Sequence, residues 1–254
     1  MSRYFKNTAL LLFDEHAPFQ HKKLWHYKIR LVESMQFDKI IIGGDFLDCF
    51  SLSRFDKSPN RAEDFHFELT EAMAMLRDLR KAAPKAEIIY IEGNHCERLQ
   101  KLLDTNMRAF RSLPNFDIKN LLSLDKYKVR YVKDFYKVNK NFIVTHGFYC
   151  SKQSAKAELE KWGISGASGH VHRYNSFKKN YNDKIIKRPM FWYSFGTGAD
   201  ISQLEYAKNF YHNWDNSFGI LEYSEVLFHM TVIDPIKGKG SFYNPIEGKY
   251  YGKI

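Results

Sequence analysis

Short apolar runs alternate with longer amphipathic segments in the first third of the chain. Residues 8–13, 39–43 and 87–92 form apolar runs of the length that buried strands usually have. Between them, residues 20–36 and 61–82 repeat apolar positions every three or four residues, which predicts two helices. The order is therefore strand, helix, strand, helix, strand, and such alternation is typical of a parallel sheet.

The remainder of the chain contains fewer helical patterns and more strand-like ones. We predict helices at residues 97–112 and 154–162, whereas residues 116–127 follow no clear period. No internal repeat or linker interrupts the pattern, so we expect one domain that spans residues 1–254. The fold class is α/β, with two sheets packed together and helices on the outside. Further strands are predicted at residues 128–132, 135–138, 141–145, 190–195, 218–223 and 226–233.

The composition is that of a globular protein: 44% of the 254 residues are hydrophobic and 16% are aromatic, enough for a large core. Three widely spaced cysteines, Cys49, Cys96 and Cys150, argue against a disulfide framework and favour a reducing compartment. No apolar run approaches the length of a secretory leader or of a membrane span. We therefore expect a cytoplasmic protein that does not enter a membrane.

The net charge of +10, from 39 Lys and Arg against 29 Asp and Glu, favours an anionic partner. Nucleic acid is the commonest partner of that kind. The basic residues are dispersed along the chain, so solubility alone is an equally good explanation of the charge. Composition leaves both interpretations open.

Side chains that can bind metals follow five of the apolar runs. A lone Gly-Asp after a strand is more often a turn, and a lone histidine is more often an ordinary polar residue. Here, however, five of the ten histidines lie at strand ends, and the ends of parallel strands meet at one edge of a sheet. Imidazole, carboxylate and amide ligands suit manganese, iron or zinc better than calcium or magnesium. The residues are Asp14 and His16, then Asp45, then Asn94 and His95, then His146, then His170 and His172.

The order and spacing of these residues are specific. The chain contains, in order, Asp14-Glu15-His16, Gly44-Asp45-Phe46-Leu47-Asp48, Gly93-Asn94-His95-Cys96-Glu97, His146-Gly147 and Gly169-His170-Val171-His172. This series resembles the calcineurin-like metallophosphoesterase superfamily, whose pattern is Asp-x-His, Gly-Asp-x-x-Asp, Gly-Asn-His-Asp/Glu, His and Gly-His-x-His. The resemblance implies a four-layer αββα sandwich of two mixed sheets, the metallo-dependent phosphatase fold.

The resemblance also implies a role for each matching residue. Two divalent cations are expected, with manganese favoured and iron or zinc as alternatives. Asp45 would bridge the two cations, and His95 would act beside them without binding them. The other expected ligands are Asp14, His16 and His172 for the first cation, and Asn94, His146 and His170 for the second.

One position departs from the family pattern. Cys96 stands where the family usually has an acidic residue directly after the histidine. Such a carboxylate would orient the imidazole of His95 and stabilise its charged form. Either Asp48 or Glu97 is a candidate to replace it, as a residue that supports the site without binding metal.

The reaction implied by the resemblance is phosphoester hydrolysis, with a metal-bridging hydroxide as the nucleophile. Asp45, Asn94 and His95 are the expected catalytic residues: Asn94 and His95 would stabilise the phosphoryl oxygens, and His95 would also protonate the leaving oxygen. The basic charge favours a phosphodiesterase or nuclease that acts on DNA or RNA. A phosphomonoesterase or a hydrolase of small or cyclic nucleotides is the alternative, and a catalytically inactive nucleic-acid-binding module is a further one.

Substrate contacts are predicted mainly after the last motif, and the oligomeric state stays open. Arg173 and Arg54 are the leading candidates. Aromatic residues in this region can stack on bases, although packing in a β-rich core is the better explanation for each of them taken singly. The other candidates are Tyr174, Lys178, Lys179, Lys187 and Arg188, with Tyr181, Trp192, Tyr211 and Trp214 as the aromatic set.

Overall fold

The computed structural model describes residues 5–54, 64–113, 115–180, 188–204 and 213–233, together with the backbone of three short strands beyond residue 234. Two large sheets dominate the described chain. The first has six strands, in the order β11-β10-β1-β2-β3-β4. These are β1 (Asn7–Leu12), β2 (Lys39–Ile42), β3 (Glu87–Ile91), β4 (Val129–Val132), β10 (Phe218–Tyr223) and β11 (Phe228–Ile233).

The second large sheet has five strands, in the order β5-β6-β7-β9-β8. A three-stranded sheet, in the order β12-β13-β14, follows near the C-terminus. The strands of the five-stranded sheet are β5 (Phe135–Asn139), β6 (Phe142–Thr145), β7 (Ser165–Ser168), β8 (Asn175–Lys179) and β9 (Met190–Ser194). Those of the small sheet are β12 (Pro235–Ile236), β13 (Ser241–Asn244) and β14 (Lys249–Tyr251).

Both large sheets are mixed, and each has a parallel centre. Strands β1, β2, β3 and β4 are parallel, while β10 runs antiparallel to β1. In the other sheet β6, β7 and β9 are parallel, and β5 and β8 are antiparallel to their neighbours. The loops that follow β1, β2 and β3 therefore leave the first sheet at one edge, as do those that follow β6 and β7 in the second.

Five helices are described, and the longer ones cover the outer faces of the sheets. Helices α1 and α2 pack against each other over the first sheet, and α5 contacts β7, β8 and β9 of the second. Among the described residues, no helix combines the length and apolar character that crossing a membrane requires. The helices are α1 (Lys22–Met35), α2 (Phe65–Ala82), α3 (Glu97–Thr105), α4 (Ile118–Leu121) and α5 (Ser154–Trp162).

Successive side chains of the central strands point to opposite faces of the sheet, and this separates the layers. In β1, Leu10 and Leu12 face the helix-side core, whereas Ala9 and Leu11 face the core between the sheets. The side chains of strand β6 alternate in the same way: Phe142 and Val144 face the core between the sheets. Ile143 instead packs with α5. The layers are therefore helix, sheet, sheet and helix, and the predicted α/β fold class, a four-layer αββα sandwich of two mixed sheets, is confirmed.

Strand β8 and the three strands of the small sheet were not predicted, and two further features also differ from the sequence predictions. The helix predicted at residues 97–112 ends at Thr105 and is followed by a 3₁₀ turn, Arg108–Phe110. Strand β7 lies in a segment for which no strand was predicted, because its Ser-Gly-Ala-Ser sequence has no large apolar residue. Small residues are needed there, since a Cβ on Gly166 would lie 2.5 Å from the Trp192 ring.

A buried ion pair connects α1 to the loop that follows β1. Lys28 Nζ lies 2.5 Å from Glu15 Oε1, and the two side chains are 1% and 0% exposed. Burial raises the pKa of the Glu15 carboxyl, and Lys28 offsets part of that effect. Because Glu15 stands between Asp14 and His16, the pair fixes the segment that carries both of these residues.

We predict that Lys28→Met destabilises the protein by about 3–5 kcal/mol, because the variant leaves a buried carboxylate without its cation. Urea denaturation followed by circular dichroism measures the change. Lys23→Met, at an exposed position of the same helix, should change stability by less than about 0.5 kcal/mol. The double variant Glu15→Gln/Lys28→Met should recover part of the loss. Equal stability of the two single variants would contradict the role assigned to the pair.

Candidate metal centre

The loops that carry the predicted ligands have an unusual backbone. Asp14, His16, Asp45, His170 and His172 all adopt positive φ angles, between 43° and 69°. This region is uncommon for residues other than glycine, and each such residue costs on the order of 1 kcal/mol or more. Strain of this kind is concentrated at functional sites. The sharp turns point the five side chains back toward one another.

Two glycines allow these loops to approach closely. A Cβ on Gly44, whose φ is 95°, would lie 2.2 Å from His146 Nδ1. A Cβ on Gly93 would lie 2.1 Å from Asp45 Oδ1. Any larger residue would therefore push apart the loops after β2, β3 and β6, which explains the glycine before each of Asp45 and Asn94.

The first ligand cluster consists of Asp14, His16 and His172, which are all buried. His16 Nε2 lies 3.1 Å from His172 Nε2, and His172 Nε2 lies 3.3 Å from Asp14 Oδ1. Their candidate ligand atoms all lie within 4.8 Å of one another. Two imidazole nitrogens and a carboxylate oxygen that converge in this way form a suitable set of ligands for a transition metal.

The second ligand cluster is centred on His146 Nε2. This atom lies 3.2 Å from Asp45 Oδ2, 3.2 Å from His170 Nδ1 and 2.8 Å from Asn94 Oδ1. A single imidazole nitrogen is either one donor or one acceptor, so it cannot make good hydrogen bonds to all three. The crowding is what a set of ligands shows when its atoms point at a common centre, and these residues therefore fit a cation.

The two clusters are linked through the backbone. The amide of His170 donates to Asp14 Oδ2 at 2.8 Å, so a residue of the second cluster is anchored on the first. Asp45 Oδ1 accepts a bond from the amide of His95 at 2.9 Å, which leaves Oδ2 directed at His146. Each carboxylate thus has one oxygen fixed by an amide and the other directed into the site.

The charges in the site favour ionised carboxylates. Burial opposes ionisation of Asp45, but His146 and His95 outweigh it and hold the pKa of the carboxyl well below its ordinary value. Burial likewise opposes the charged form of His146, but Asp45 raises the pKa of His146 to about 9. A divalent cation bound to Asp45 and His146 would therefore displace a proton from the imidazole.

Asp48 lies beside the two clusters and forms a third group of buried candidate ligands with His16 and His95. Its Oδ2 lies 2.9 Å from His16 Nδ1, and its backbone carbonyl lies 2.7 Å from His95 Nδ1. Burial opposes ionisation of Asp48, but His95 and His16 hold the pKa of its carboxyl far below its ordinary value. A metal-ligating histidine usually has a partner of this kind on its other nitrogen, where it fixes the tautomer and the ring orientation.

Arg98 also contacts His95, and no sequence motif indicated it. Its Nη2 donates to His95 Nε2 at 2.9 Å, and its Nη1 donates to the Asp48 carbonyl at 3.0 Å. Arg98 lies in the first turn of α3, where helical spacing brings position 98 back over position 95. That spacing was the signal available in the sequence.

Glu97 lies outside this arrangement, which corrects its assignment as a supporting residue. Its carboxylate is half exposed and accepts a hydrogen bond from Lys101 at 2.7 Å. Cys96 is buried with its Sγ 3.0 Å from the Tyr90 hydroxyl, and burial raises the pKa of its thiol to about 12. Of the two candidates for the missing acidic residue, the structure therefore brings only Asp48 to His95.

The predicted substrate contacts are scattered. Arg173 borders the site through its neighbour His172, and its guanidinium donates to the Ser151 carbonyl at 2.7 Å. Trp192 is fully buried in the core beside α5, which corrects its assignment as a stacking residue. Arg188 contacts Asn141 and Val226, at the opposite edge of the sheets. Arg54 is exposed after the 3₁₀ turn Phe50–Leu52.

Of the other predicted contacts that the structure describes, Trp214 borders the site. The ring of Trp214 lies 4.4 Å from that of His172 and so borders the first cluster. Tyr174 packs near Phe195, and Lys178 lies over the Phe191 ring. Lys179 is half-buried at the end of β8. Lys187, Tyr181 and Tyr211 fall outside the described residues.

Cys150 is a further neighbour of the site that the sequence did not reveal. Its Sγ lies 2.9 Å from His170 Nε2, and its side chain is exposed. Burial, assisted by His146, lowers the pKa of His170 to about 4, so the ring is neutral at neutral pH. A neutral ring can present Nδ1 to a cation while Nε2 contacts the thiol.

Five blocks that are separated by up to 158 residues thus meet at one edge of a four-layer sandwich, in the order that the resemblance implies. The order of these blocks along the chain resembles that of the calcineurin-like metallophosphoesterases. No family model matches the chain. The gene 54 protein of Mycobacterium phage D29 is 24% identical over 222 residues, which is 84% of this chain and 87% of that protein.

Solved structures with a similar chain path have low sequence identity. Vps29 from Chaetomium thermophilum is 13% identical, with a TM-score of 0.48 over 96% of this chain and 92% of that one. A dimetal phosphatase from Danio rerio is 9% identical, with a TM-score of 0.49 over 90% and 96%. The nuclease MPE from Pseudomonas putida is 16% identical, with a TM-score of 0.39 over 88% and 87%.

We predict that Asp48→Asn lowers the affinity for Mn²⁺ by about 10–100-fold, because the partner of His16 loses its charge. Competition with a chelator of known affinity measures the change. Glu97→Gln is the control: Glu97 follows Asn94 at the same spacing at which Asp48 follows Asp45, but its carboxylate is bonded to Lys101, so the variant should leave the affinity unchanged. Equal affinities of the two variants would show that Asp48 does not support the site.

Proposed function

We propose that this chain is a dinuclear metal-dependent phosphoester hydrolase, a phosphodiesterase or nuclease that acts on nucleic acid. The observation that carries the proposal is the convergence of seven candidate ligands from five loops into two clusters, joined by the His170 amide on Asp14. Ligand clusters that stabilised only the fold would not need five strained residues. Residues 1–254 would form one catalytic domain.

Each cluster would hold one cation, and Asp45 would be shared between them. The first cation would be held by Asp14, His16 and His172, and the second by Asn94, His146 and His170. When bound, the pair of cations would supply Lewis acidity and an activated water at neutral pH. The predominance of imidazole ligands favours manganese, iron or zinc.

The chain's own residues would orient the substrate and move a proton. His95 Nδ1 is held by the Asp48 carbonyl, so Nε2 is the nitrogen that faces Asp45, at 3.7 Å from Oδ2. Arg98 donates to Nε2 when the ring is neutral, so His95 would protonate the leaving oxygen from its doubly protonated form. Burial opposes that form, but Asp45 and Asp48 raise the pKa of His95 and favour it. The Asn94 amide would donate to a phosphoryl oxygen.

The proposed substrate class rests on the net charge of the chain, because the metal ligands indicate only the type of reaction. A net charge of +10 attracts a polyanion, and a nucleic acid offers many phosphodiesters where a small metabolite offers one. A binding module without catalysis would not require His95 to be positioned beside the clusters, and the positioning of His95 therefore supports an enzyme over such a module.

We predict that Asp45→Asn loses bound metal and lowers hydrolysis of bis-p-nitrophenyl phosphate by at least about 10²-fold. The reason is that Asp45 would bind both cations. Elemental analysis of the purified protein and a manganese-supplemented assay give the two readouts. Normal activity in a metal-depleted Asp45→Asn protein would rule out this scheme.

His95→Ala separates proton transfer from metal binding. Because His95 is not among the proposed ligands, this variant should retain the metal content of the unaltered protein. Its turnover should fall by about 10²–10⁴-fold, the usual contribution of a general acid. Loss of metal together with activity would instead place His95 among the ligands.

The substrate class is tested with four substrates in the presence of manganese. We expect hydrolysis of bis-p-nitrophenyl phosphate and of single- or double-stranded DNA, with p-nitrophenyl phosphate cleaved more slowly. Hydrolysis of the monoester alone would exclude the phosphodiesterase assignment and leave a phosphomonoesterase.

A further inference from the structure

A cavity of about 480 Å³ adjoins the second ligand cluster. Asn94 and His146 form its inner end, and its other walls come from the start of β5, the loop after β6 and the C-terminal turn of α5. Its volume lies within the 300–1,000 Å³ of typical small-ligand sites. A ligand in this cavity would therefore reach the metal cluster with one end.

The outer walls of the cavity are aromatic and exposed. Phe148 is 70% exposed and Phe135 is 42% exposed. The rings of Phe135 and Trp162 meet edge to face, with centroids 5.2 Å apart. Single exposed aromatic residues are common on protein surfaces, but here two exposed phenylalanines and the partly buried Trp162 line one cavity beside the ligand cluster. We refer to Phe135, Phe148 and Trp162 as the aromatic wall.

One buried carboxylate fixes this wall. Glu158 is 1% exposed. Its Oε1 accepts from the amides of Phe148 and Tyr149, the latter at 3.0 Å, and its Oε2 accepts from Trp162 Nε1 at 3.0 Å. A buried acid needs such partners, and here they orient two members of the aromatic wall. The Trp162 ring and the backbone at Phe148 are therefore held in place before a ligand arrives, which lowers the entropic cost of binding.

Lysines accompany the aromatic residues. Lys133 and Lys161 both line the cavity, and Lys161 Nζ lies over the Phe148 ring and 5.2 Å from the centroid of Trp162. The acids Glu92, Glu97 and Asp134 also line it. Glu97 is bonded to Lys101, and Glu92 to the Tyr131 hydroxyl. Each of these two acids thus has a partner other than Lys133 and Lys161.

We propose that the cavity binds an unpaired nucleobase and its adjoining phosphate, so that single-stranded nucleic acid is the substrate. Stacking on aromatic side chains together with basic residues is the common chemistry of single-strand binding. Bases inside a duplex are already stacked and could not enter. This inference rests on the proposed function in one respect: the hydrolase places the scissile phosphate beside Asn94 and His146.

Phe148→Ala tests the proposal, because this exposed residue can be removed without disturbing the core. The probe is a fluorescein-labelled ten-residue oligothymidylate with phosphorothioate linkages, which resists cleavage, and its affinity is measured by fluorescence anisotropy. Loss of one stacking contact should weaken binding by about 5–100-fold. Phe110→Ala removes an exposed phenylalanine outside the cavity and should bind like the unaltered protein, whereas Phe148→Trp should keep the affinity.

An abasic strand of the same length and linkage separates stacking from charge. It should bind the unaltered protein more weakly than oligothymidylate does, and Phe148→Ala should not weaken it further. The proposal is wrong if the unaltered protein binds both strands equally, or if Phe148→Ala binds oligothymidylate normally. Such a result would leave the cavity as a surface for a protein partner.

The two proposals fail in distinguishable ways. If bis-p-nitrophenyl phosphate is hydrolysed but binding does not depend on bases, the hydrolase stands and the base-binding cavity is rejected. If binding depends on bases and on Phe148 but no ester is hydrolysed, the cavity stands and the hydrolase is rejected.

Discussion

The crowding of polar atoms around His146 Nε2 is the constraint on which the rest of the structure depends. Three neighbours within 3.2 Å exceed the hydrogen-bonding capacity of one imidazole nitrogen. Such an arrangement persists only if the surrounding fold enforces it. Left-handed backbone at five candidate ligands, glycines at 44 and 93, and the buried Lys28–Glu15 pair all serve that purpose.

The scaffold explains why distant parts of the chain supply the site. Parallel strands in both sheets release their loops at one edge, and the hydrophobic cores above and below hold the strands in register. Around the clusters, Asp48 is shared between His16 and His95, so a single carboxylate and its own carbonyl orient one proposed ligand and the proposed acid. Glu158 does the same for the aromatic wall, where it joins the loop after β6 to α5.

Much of this architecture could be predicted from the sequence, because apolar runs and helical periods are local signals. Most of the strands and the longer helices followed from them, whereas strands β7 and β8 did not. Strand β7 could not be predicted, since its small residues are required by the Trp192 ring, a contact that forms only in the folded chain. The ligand blocks were visible because glycine and histidine spacing is itself local.

The supporting residues were harder to find, because their partners are distant in sequence. Asp48 and Glu97 were equally good candidates by position, and only the fold shows that one faces His95 while the other faces Lys101. Arg98 and Glu158 belong to ordinary helical patterns and carry no motif. Their contacts depend on how the helices dock, which a single sequence does not specify.

Electron paramagnetic resonance of the manganese-loaded protein tests the central claim most directly. Two Mn²⁺ ions that share a carboxylate at roughly 3.5–4 Å should be magnetically coupled. The account predicts two manganese ions per chain with the multiline spectrum of a coupled pair. A single ion per chain, or two ions with the six-line spectrum of isolated Mn²⁺, would contradict a shared dinuclear centre.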